Sequence, residues 1–317
     1  MKCYFCLTAP DEANGVYIDL LHVALKSARE NTTLDLCALY DGPEDHPCYS
    51  LLSQYKVKIR KHVFSHKEDL IKTFPESYLK ERFGKVDSYE KIAGTFMRLD
   101  VPFVEAEEEY VLYADFDVYF AKDIAKAELK LPKYLAAAPE FSNDIEKMTY
   151  FNAGVLLFNV RNMRVKCGEI FSMLKRGERN SVNLFDQGYL NQVCFSNMDL
   201  LPLECNWRPY WGINKNATIV HFHGMKPGGD FFSSGFNMTD KAIFASLNGH
   251  VQDIGGYLYY FLKFFECLGK NGDLWLAEFL SRVVSVLHAE ESKITTKKMK
   301  SMAKQYVFQK LHLGGWK

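Results

Sequence analysis

The run "YVLYADFDVYF", Tyr110 to Phe120, places two carboxylates, Asp115 and Asp117, inside an otherwise apolar stretch. Burying a carboxylate costs heavily unless positive charge meets it. On a strand, residues two apart share a face, so a strand through this run would aim both acids at one point. A hard divalent cation with oxygen ligands, Mn²⁺ or Mg²⁺, suits such a pair and would offset its burial. Taken alone, two aspartates at this spacing sit more often on a solvated turn.

A second constellation lies in "IVHFHGMKPGG", where His221 and His223 stand two apart at the end of an apolar run. An imidazole would complete a metal site and favour Mn²⁺ over Mg²⁺; which of the two histidines does so is open at this level. Lys226, with glycine backbone N–H groups nearby, could hold a phosphate oxygen. Amide-rich segments add what a sugar would need. Asn152 precedes Ala153 and Gly154 at a strand entrance, and Asp186 and Gln187 open a helix. Such side chains offer directed donors and acceptors to hydroxyl groups, although at turns they also serve as caps.

Elements that could position these groups follow from periodicity. "CYFCLTA" reads as a strand, "VYIDLLHVALKSARE" as a helix with Ile18, Leu21, Ala24 and Leu25 on one side, and "LDLCALYDGP" as a second strand. "YKVKIRKHVF" alternates like a half-exposed strand. The spacing predicts a helix over 88–104 that Pro102 ends or bends. Strands are expected through "EEEYVLYADFDVYF", "KYLAAAPEF" and "YFNAGVLLFNV", a helix from "FDQGYLN", and a strand opening into a glycine-rich loop at "ATIVHFHGMKPGGD". Strand alternating with helix indicates an α/β protein with a mostly parallel sheet, whose ligands gather at the carboxyl ends of strands.

The totals agree with a globular α/β protein of 317 residues, 48% apolar and 25% charged. Formal net charge is zero, so no global field draws in nucleic acid. No stretch approaches the roughly 20 apolar residues of a spanning helix. The opening decapeptide lacks the shape of a signal peptide, so a cytoplasmic location with reduced thiols is expected. Of the 8 cysteines, Cys3 and Cys6 form a C-x-x-C without a second pair and read as core thiols. Composition shifts near residue 250, dividing the chain into a catalytic part, 1–250, and a helical basic extension, 251–317. "YLYYFLKFFECL", Tyr257–Leu268, is a buried or interfacial helix, and Ser292 to Lys317 carries seven lysines and no acid. That segment is a solvated helix or, with the rest of 257–317, a peripheral contact with the cytosolic face of an anionic membrane.

In order along the chain, "TFMRL", "YVLYADFDVYF", "YFNAGVLLFNV", "FDQGYLN" and "HFHGMKPG" resemble glycosyltransferase family 8. These are retaining GT-A transferases that include bacterial lipooligosaccharide galactosyltransferases and glycogenin. The resemblance spans about Lys2 to Gly229. It implies a GT-A fold, a Rossmann-like sheet flanked by helices, with a helical C-terminal extension. It implies transfer of a hexose, glucose or galactose, from a UDP-sugar to a glycan, glycolipid or glycoprotein.

By the same resemblance Asp115 and Asp117 are the D-x-D that binds Mn²⁺, and His221 is the third protein ligand. Phe116 is the spacer between the acids. Lys226 and Gly224 belong to the motif at the diphosphate, and Arg98 is the arginine that reaches the donor. Asn152, Ala153, Gly154, Asp186 and Gln187 surround the transferred sugar, and Thr8, Ala9 and Asp11 hold uracil and ribose. Departures are local. Gly188 stands where the family carries an acid, Gly228 where it carries a tryptophan, and Glu140 only approximates its sugar-facing acid.

An amide is a poor nucleophile, so front-face attack is expected, with Gln187 as electrostatic support. Three rivals have recognisable requirements. A D-x-D phosphohydrolase would carry the acids on its first strand. A sugar-nucleotide pyrophosphorylase would need a basic glycine-rich loop where "TAPDEANG" stands. A catalytically idle sugar-nucleotide-binding protein would not need the complete acid–acid–histidine set.

Overall fold

The computed structural model describes residues 1–9, 15–83, 89–140, 143–181, 185–224, 226–227 and 254–273, with Ala277 and Ser281. Asp11, Gly228, Gly229, the boundary at residue 250 and the basic segment 292–317 lie outside the described residues.

The first half alternates as its periodicity predicts. Strand β1 (Lys2–Thr8) is followed by α1 (Gly15–Asn31), β2 (Asp35–Asp41), α2 (Pro47–Gln54) and the exposed edge strand β3 (Lys58–Lys61). Helices α3 (Lys67–Thr73), α4 (Glu76–Phe83) and α5 (Tyr89–Phe96) lead to the centre of the chain. The helix expected over 88–104 is broken. A 3₁₀ turn, Met97–Leu99, separates α5 from the short α6 (Val101–Val104), and Pro102 sits in the first turn of α6. That position suits proline, whose missing N–H would have no intrahelical partner there.

The strand expected through "YVLYADFDVYF" is two strands, β4 (Tyr110–Ala114) and β5 (Val118–Phe120), in different sheets. Then come β6 (Leu135–Pro139), β7 (Phe151–Asn159), α7 (Val160–Lys175), α8 (Phe185–Cys194), β8 (Asp199–Leu200), β9 (Ile219–His221) and α9 (Ile254–Leu268). Sequence reasoning passed over α7. Its signals are plain afterwards: Asn159 caps it by accepting from the Asn162 N–H, and Val160, Met163, Cys167, Ile170, Phe171 and Leu174 bury one face.

The central sheet has the order β3-β2-β1-β4-β7-β6-β8. It is mostly parallel, with β7 antiparallel to both β4 and β6. Alternate residues serve opposite faces. Tyr4, Leu39, Tyr113 and Leu156 pack with α3, α5, α7 and α8. Phe5, Ala38, Leu112 and Leu157 pack with α1 and α2. Both faces are covered, as a largely parallel sheet requires. A smaller antiparallel pair, β5 and β9, places Val118 opposite His221.

A third cluster joins α1 to the Trp207–Trp211 segment and to α9. Tyr257, Leu258, Phe261 and Phe264 of α9 are buried there, so the buried reading of this helix holds. Its apolar face packs on the chain's own core. All eight cysteines are free, six of them buried, as core thiols would be.

At the amino end of β1, Glu105 is buried beneath hydrogen bonds from Tyr4 Oη (2.6 Å), Lys2 Nζ (3.1 Å) and the N–H groups of Glu107 and Glu108. Burial alone would raise this carboxyl, but these donors outweigh it and hold it down at about 2. A depressed carboxyl stabilises the fold above its unfolded value, and that contribution is lost as pH falls toward 2. Denaturant unfolding followed from pH 6 to 2 should show an acid limb that is shallower in Glu105→Gln, by on the order of 2 kcal/mol across the window.

Candidate functional site

The site forms where the two sheets part. After β4, the Asp115 N–H donates to Gly154 O on β7 (2.8 Å), continuing that ladder for one residue. The chain then turns, Asp117 O accepts from the Phe222 N–H (2.9 Å), and β5 begins its pairing with β9. Asp115 and Asp117 therefore converge at a break between strands, not along one strand face as their spacing suggested. His221, the last residue of β9, faces the same break. The candidate ligand atoms of Asp115, Asp117 and His221 lie within 4.8 Å of one another.

One arginine and one lysine side chain answer the cost of burying these acids. Arg98, almost fully buried, places Nη2 3.0 Å from Asp115 Oδ1 and Nε 2.9 Å from Asp186 Oδ2. Its Nε–H is aimed at Thr95 O (2.9 Å), Nη1 donates to Ala153 O, and the guanidinium lies 4.5 Å from the centre of the Tyr113 ring. Tyr113 also donates its hydroxyl to Asp115 Oδ1. Arg98 is thus turned into the protein, where it bridges two acids and the β7 backbone. Lys226 approaches from the other side, donating to Asp117 Oδ2 and to Phe222 O (2.7 Å).

The charges respond to these placements. Burial would raise Asp117, but Lys226 and His221 outweigh it and hold the carboxyl well below the ordinary range. Asp115 is raised, by burial first and by the Asp117 charge, with Arg98 opposing. Burial also raises Asp186 against the pull of Arg98, and lowers His221. A lowered imidazole is neutral near pH 7 and offers a lone pair to a cation.

A divalent ion fits these residues. Asp117 Oδ1 is buried without a hydrogen-bond partner, and His221 Nε2 is 3.3 Å away. Two carboxylates and one imidazole form a donor set that suits Mn²⁺. The two histidines separate clearly. His223 is half-exposed and lies 3.1 Å from Glu140 Oε1 and 3.2 Å from Tyr210 Oη, outside the cluster.

The remaining expected site residues distribute as follows. Asn152 is buried, donating to Glu140 Oε2 (2.8 Å) and accepting the Gly154 N–H (2.8 Å). Gln187 Oε1 accepts the Ala153 N–H (2.8 Å) and lies 3.4 Å from Asn152 Nδ2, so its carbonyl is turned to β7. Thr8 ends β1, and the Ala9 N–H donates to Asp41 O (3.0 Å). Phe116 is more than a spacer, because its ring packs on Tyr17 of α1 with centroids 4.1 Å apart. Gly224 has φ +86°, a conformation that glycine adopts without penalty. At Gly188 any side chain would overlap the buried Asn180, so the position is closed to an acid by packing. Sequence reasoning missed Asn206, fully buried and 3.1 Å from His221 Nδ1. Its one signal was a polar residue within the aromatic run "CNWRPYW".

Comparison with known proteins follows the same lines. The sequence pattern of "Glycosyl transferase family 8" matches residues 12–230. No curated relative matches by sequence. Among solved structures, galactosyltransferase LgtC in complex with donor and acceptor sugar analogs superposes with a TM-score of 0.51 at 18% identity, covering 78% of this chain and 95% of that one. GlyE of Streptococcus pneumoniae TIGR4 gives 0.49 at 19%, over 90% and 64%. Mouse xyloside xylosyltransferase 1 gives 0.48 at 16%, over 71% and 98%. The LgtC superposition shows the GT-A fold.

Gly154 sets a sharp packing limit, since a methyl group there would overlap the His221 ring. Gly154→Ala should displace the imidazole, destabilise the fold by about 1–3 kcal/mol and weaken Mn²⁺ binding. Chemical denaturation and Mn²⁺ titration by electron paramagnetic resonance measure the two effects; unchanged Mn²⁺ affinity would remove His221 from the ligand set.

Proposed function

Because the chain belongs to glycosyltransferase family 8, we propose that this glycosyltransferase moves a hexose, glucose or galactose, from a UDP-sugar to a hydroxyl of a glycan, glycolipid or glycoprotein. The observation that carries the reading is the convergence of Asp115, Asp117 and His221 around a buried carboxylate oxygen without a hydrogen bond, with Lys226 beside it. Asp115, Asp117 and His221 would hold the ion, Mn²⁺ in preference to Mg²⁺. A divalent ion bound there supplies Lewis-acid stabilisation of a diphosphate.

The chain's own groups do the rest. Lys226 neutralises Asp117 in the described structure. With a cation on that carboxylate, the ammonium is free to hold an oxygen of the departing diphosphate, where charge develops in the transition state. Arg98 acts as a positioning residue, pinning Asp115 and Asp186 against β7 from below. Asp186 and Asn152 orient sugar hydroxyls, and the backbone of Ala153 and Gly154 forms the wall beside them. Thr8, Ala9 and Asp11, with Phe116, hold the nucleoside end, and Gly224 and Lys226 the diphosphate end.

Front-face attack suits the position of Gln187. Its oxygen accepts a backbone hydrogen bond from Ala153, which further weakens an amide oxygen that is already a poor nucleophile. In the front-face route the acceptor oxygen bonds to that carbon as the carbon–oxygen bond to UDP breaks, and the leaving phosphate oxygen takes the acceptor's proton. Configuration is retained because both events occur on one face.

A panel of UDP-sugars with Mn²⁺, followed by UDP release without acceptor, tests the reading. One UDP-hexose should be hydrolysed slowly, and Asp117→Ala should reduce that rate by at least about 100-fold, the scale of a lost electrostatic stabiliser. Release unaffected by Asp117→Ala would sink the metal assignment. Acceptance of some other nucleotide sugar, with every UDP-sugar refused, would sink the uridine expectation.

A further inference from the structure

Behind the acid–acid–histidine cluster runs a chain of buried amides, and its direction is set at one end. Gly154 N–H can only donate, and it donates to Asn152 Oδ1 at 2.8 Å. Asn152 Nδ2 therefore points the other way, to the acceptor Glu140 Oε2 at 2.8 Å. Asn206 meets the same Asn152 Oδ1 at 3.0 Å and must do so with its amide nitrogen. That leaves Asn206 Oδ1 facing His221 Nδ1 at 3.1 Å. A carbonyl oxygen only accepts, so Nδ1 carries the proton and Nε2 presents a lone pair toward Asp117 Oδ1.

Asn206 cannot drift from this place. The Trp207 N–H donates to Ile219 O (2.9 Å), and the His221 N–H donates to Trp207 O (2.8 Å), locking the Asn206 backbone beside β9. Its side chain is fully buried, where an amide is kept only if its hydrogen bonds are made. Gly154 contributes twice, with the N–H that orients Asn152 and with the open space against which the His221 ring lies.

We infer that Asn206 is a positioning residue that fixes the tautomer and ring orientation of His221, so that Nε2 is committed to binding a divalent cation. The inference rests on the metal reading of Asp115, Asp117 and His221. Partners of this kind behind a ligating histidine commonly change metal affinity by about 10–100-fold when removed.

The test is Mn²⁺ titration by electron paramagnetic resonance on the full chain, in wild type, Asn206→Leu and Asn206→Asp. Leucine keeps the branched heavy-atom skeleton and removes the acceptor, and Mn²⁺ affinity should fall at least about tenfold. Aspartate keeps an acceptor for Nδ1–H but sets its other oxygen against Asn152 Oδ1, so affinity should fall clearly less than in Asn206→Leu. Equal affinity in wild type and Asn206→Leu, or equal losses in both variants, overturns the inference while leaving the metal reading in place. Failure of the wild type itself to bind Mn²⁺ overturns the metal reading and the inference with it.

A second measurement needs no Asn206 variant to fold. Wild type with ring-¹⁵N histidine and ¹¹³Cd²⁺ as probe should show cadmium–nitrogen coupling at His221 Nε2 and a proton on Nδ1, the signal being assigned through His221→Gln. Coupling at Nδ1, or a proton on Nε2, overturns the inference.

Discussion

The structure depends on holding several carboxylates together out of water at one break in a sheet. Asp115 and Asp117 meet where β4 gives way to β5, and Asp186 joins Asp115 through Arg98; Asp117 and Asp186 are buried and Asp115 half-buried. An unpaired buried charge costs several kcal/mol even after relaxation. Arg98 answers Asp115 and Asp186 from inside the fold, and Lys226 answers Asp117 from the mouth. Three acids thus face two cationic side chains, and one buried oxygen of Asp117 keeps no hydrogen bond. The arrangement is poised for a further positive charge, which a divalent ion would bring and a diphosphate would then partly neutralise.

Much of the surrounding fold serves this convergence. The central sheet supplies rigid ends for β4 and β7, and the antiparallel β7 brings Asn152, Ala153 and Gly154 beside the acids. The small β5–β9 sheet carries His221 to Asp117 across more than a hundred residues of chain. Helix α8 adds Asp186 and Gln187, and α5 runs into the turn that carries Arg98. The site therefore stands on strand ends and helix starts whose backbones are hydrogen-bonded into the sheets, and such supports hold geometry better than free loops.

The amide chain Glu140–Asn152–Asn206–His221 gives the site a direction. Buried polar networks are stable when every member is satisfied, and here one backbone donor dictates the orientation of each amide in turn. The residues expected to touch a sugar and the imidazole expected to touch a metal are consequently parts of one network.

Sequence alone determined the ingredients. Apolar periodicity located β1, α1, β2 and α8, because a buried face repeats every two residues in a strand and about every 3.6 in a helix. The isolated acids at 115 and 117, the histidines, Lys226 and the amide segments stood out because polar groups in apolar runs require partners. Only the tertiary structure chose those partners. It split one expected strand into β4 and β5, took His221 into the cluster while His223 went to Glu140, turned Arg98 inward, and brought in Asn206. Local patterning cannot reach these choices, since they are contacts between residues far apart in the chain, such as Lys226 with Asp117 at a separation of 109. Sheet order and strand register decide which distant side chains meet, and no short-range spacing encodes them.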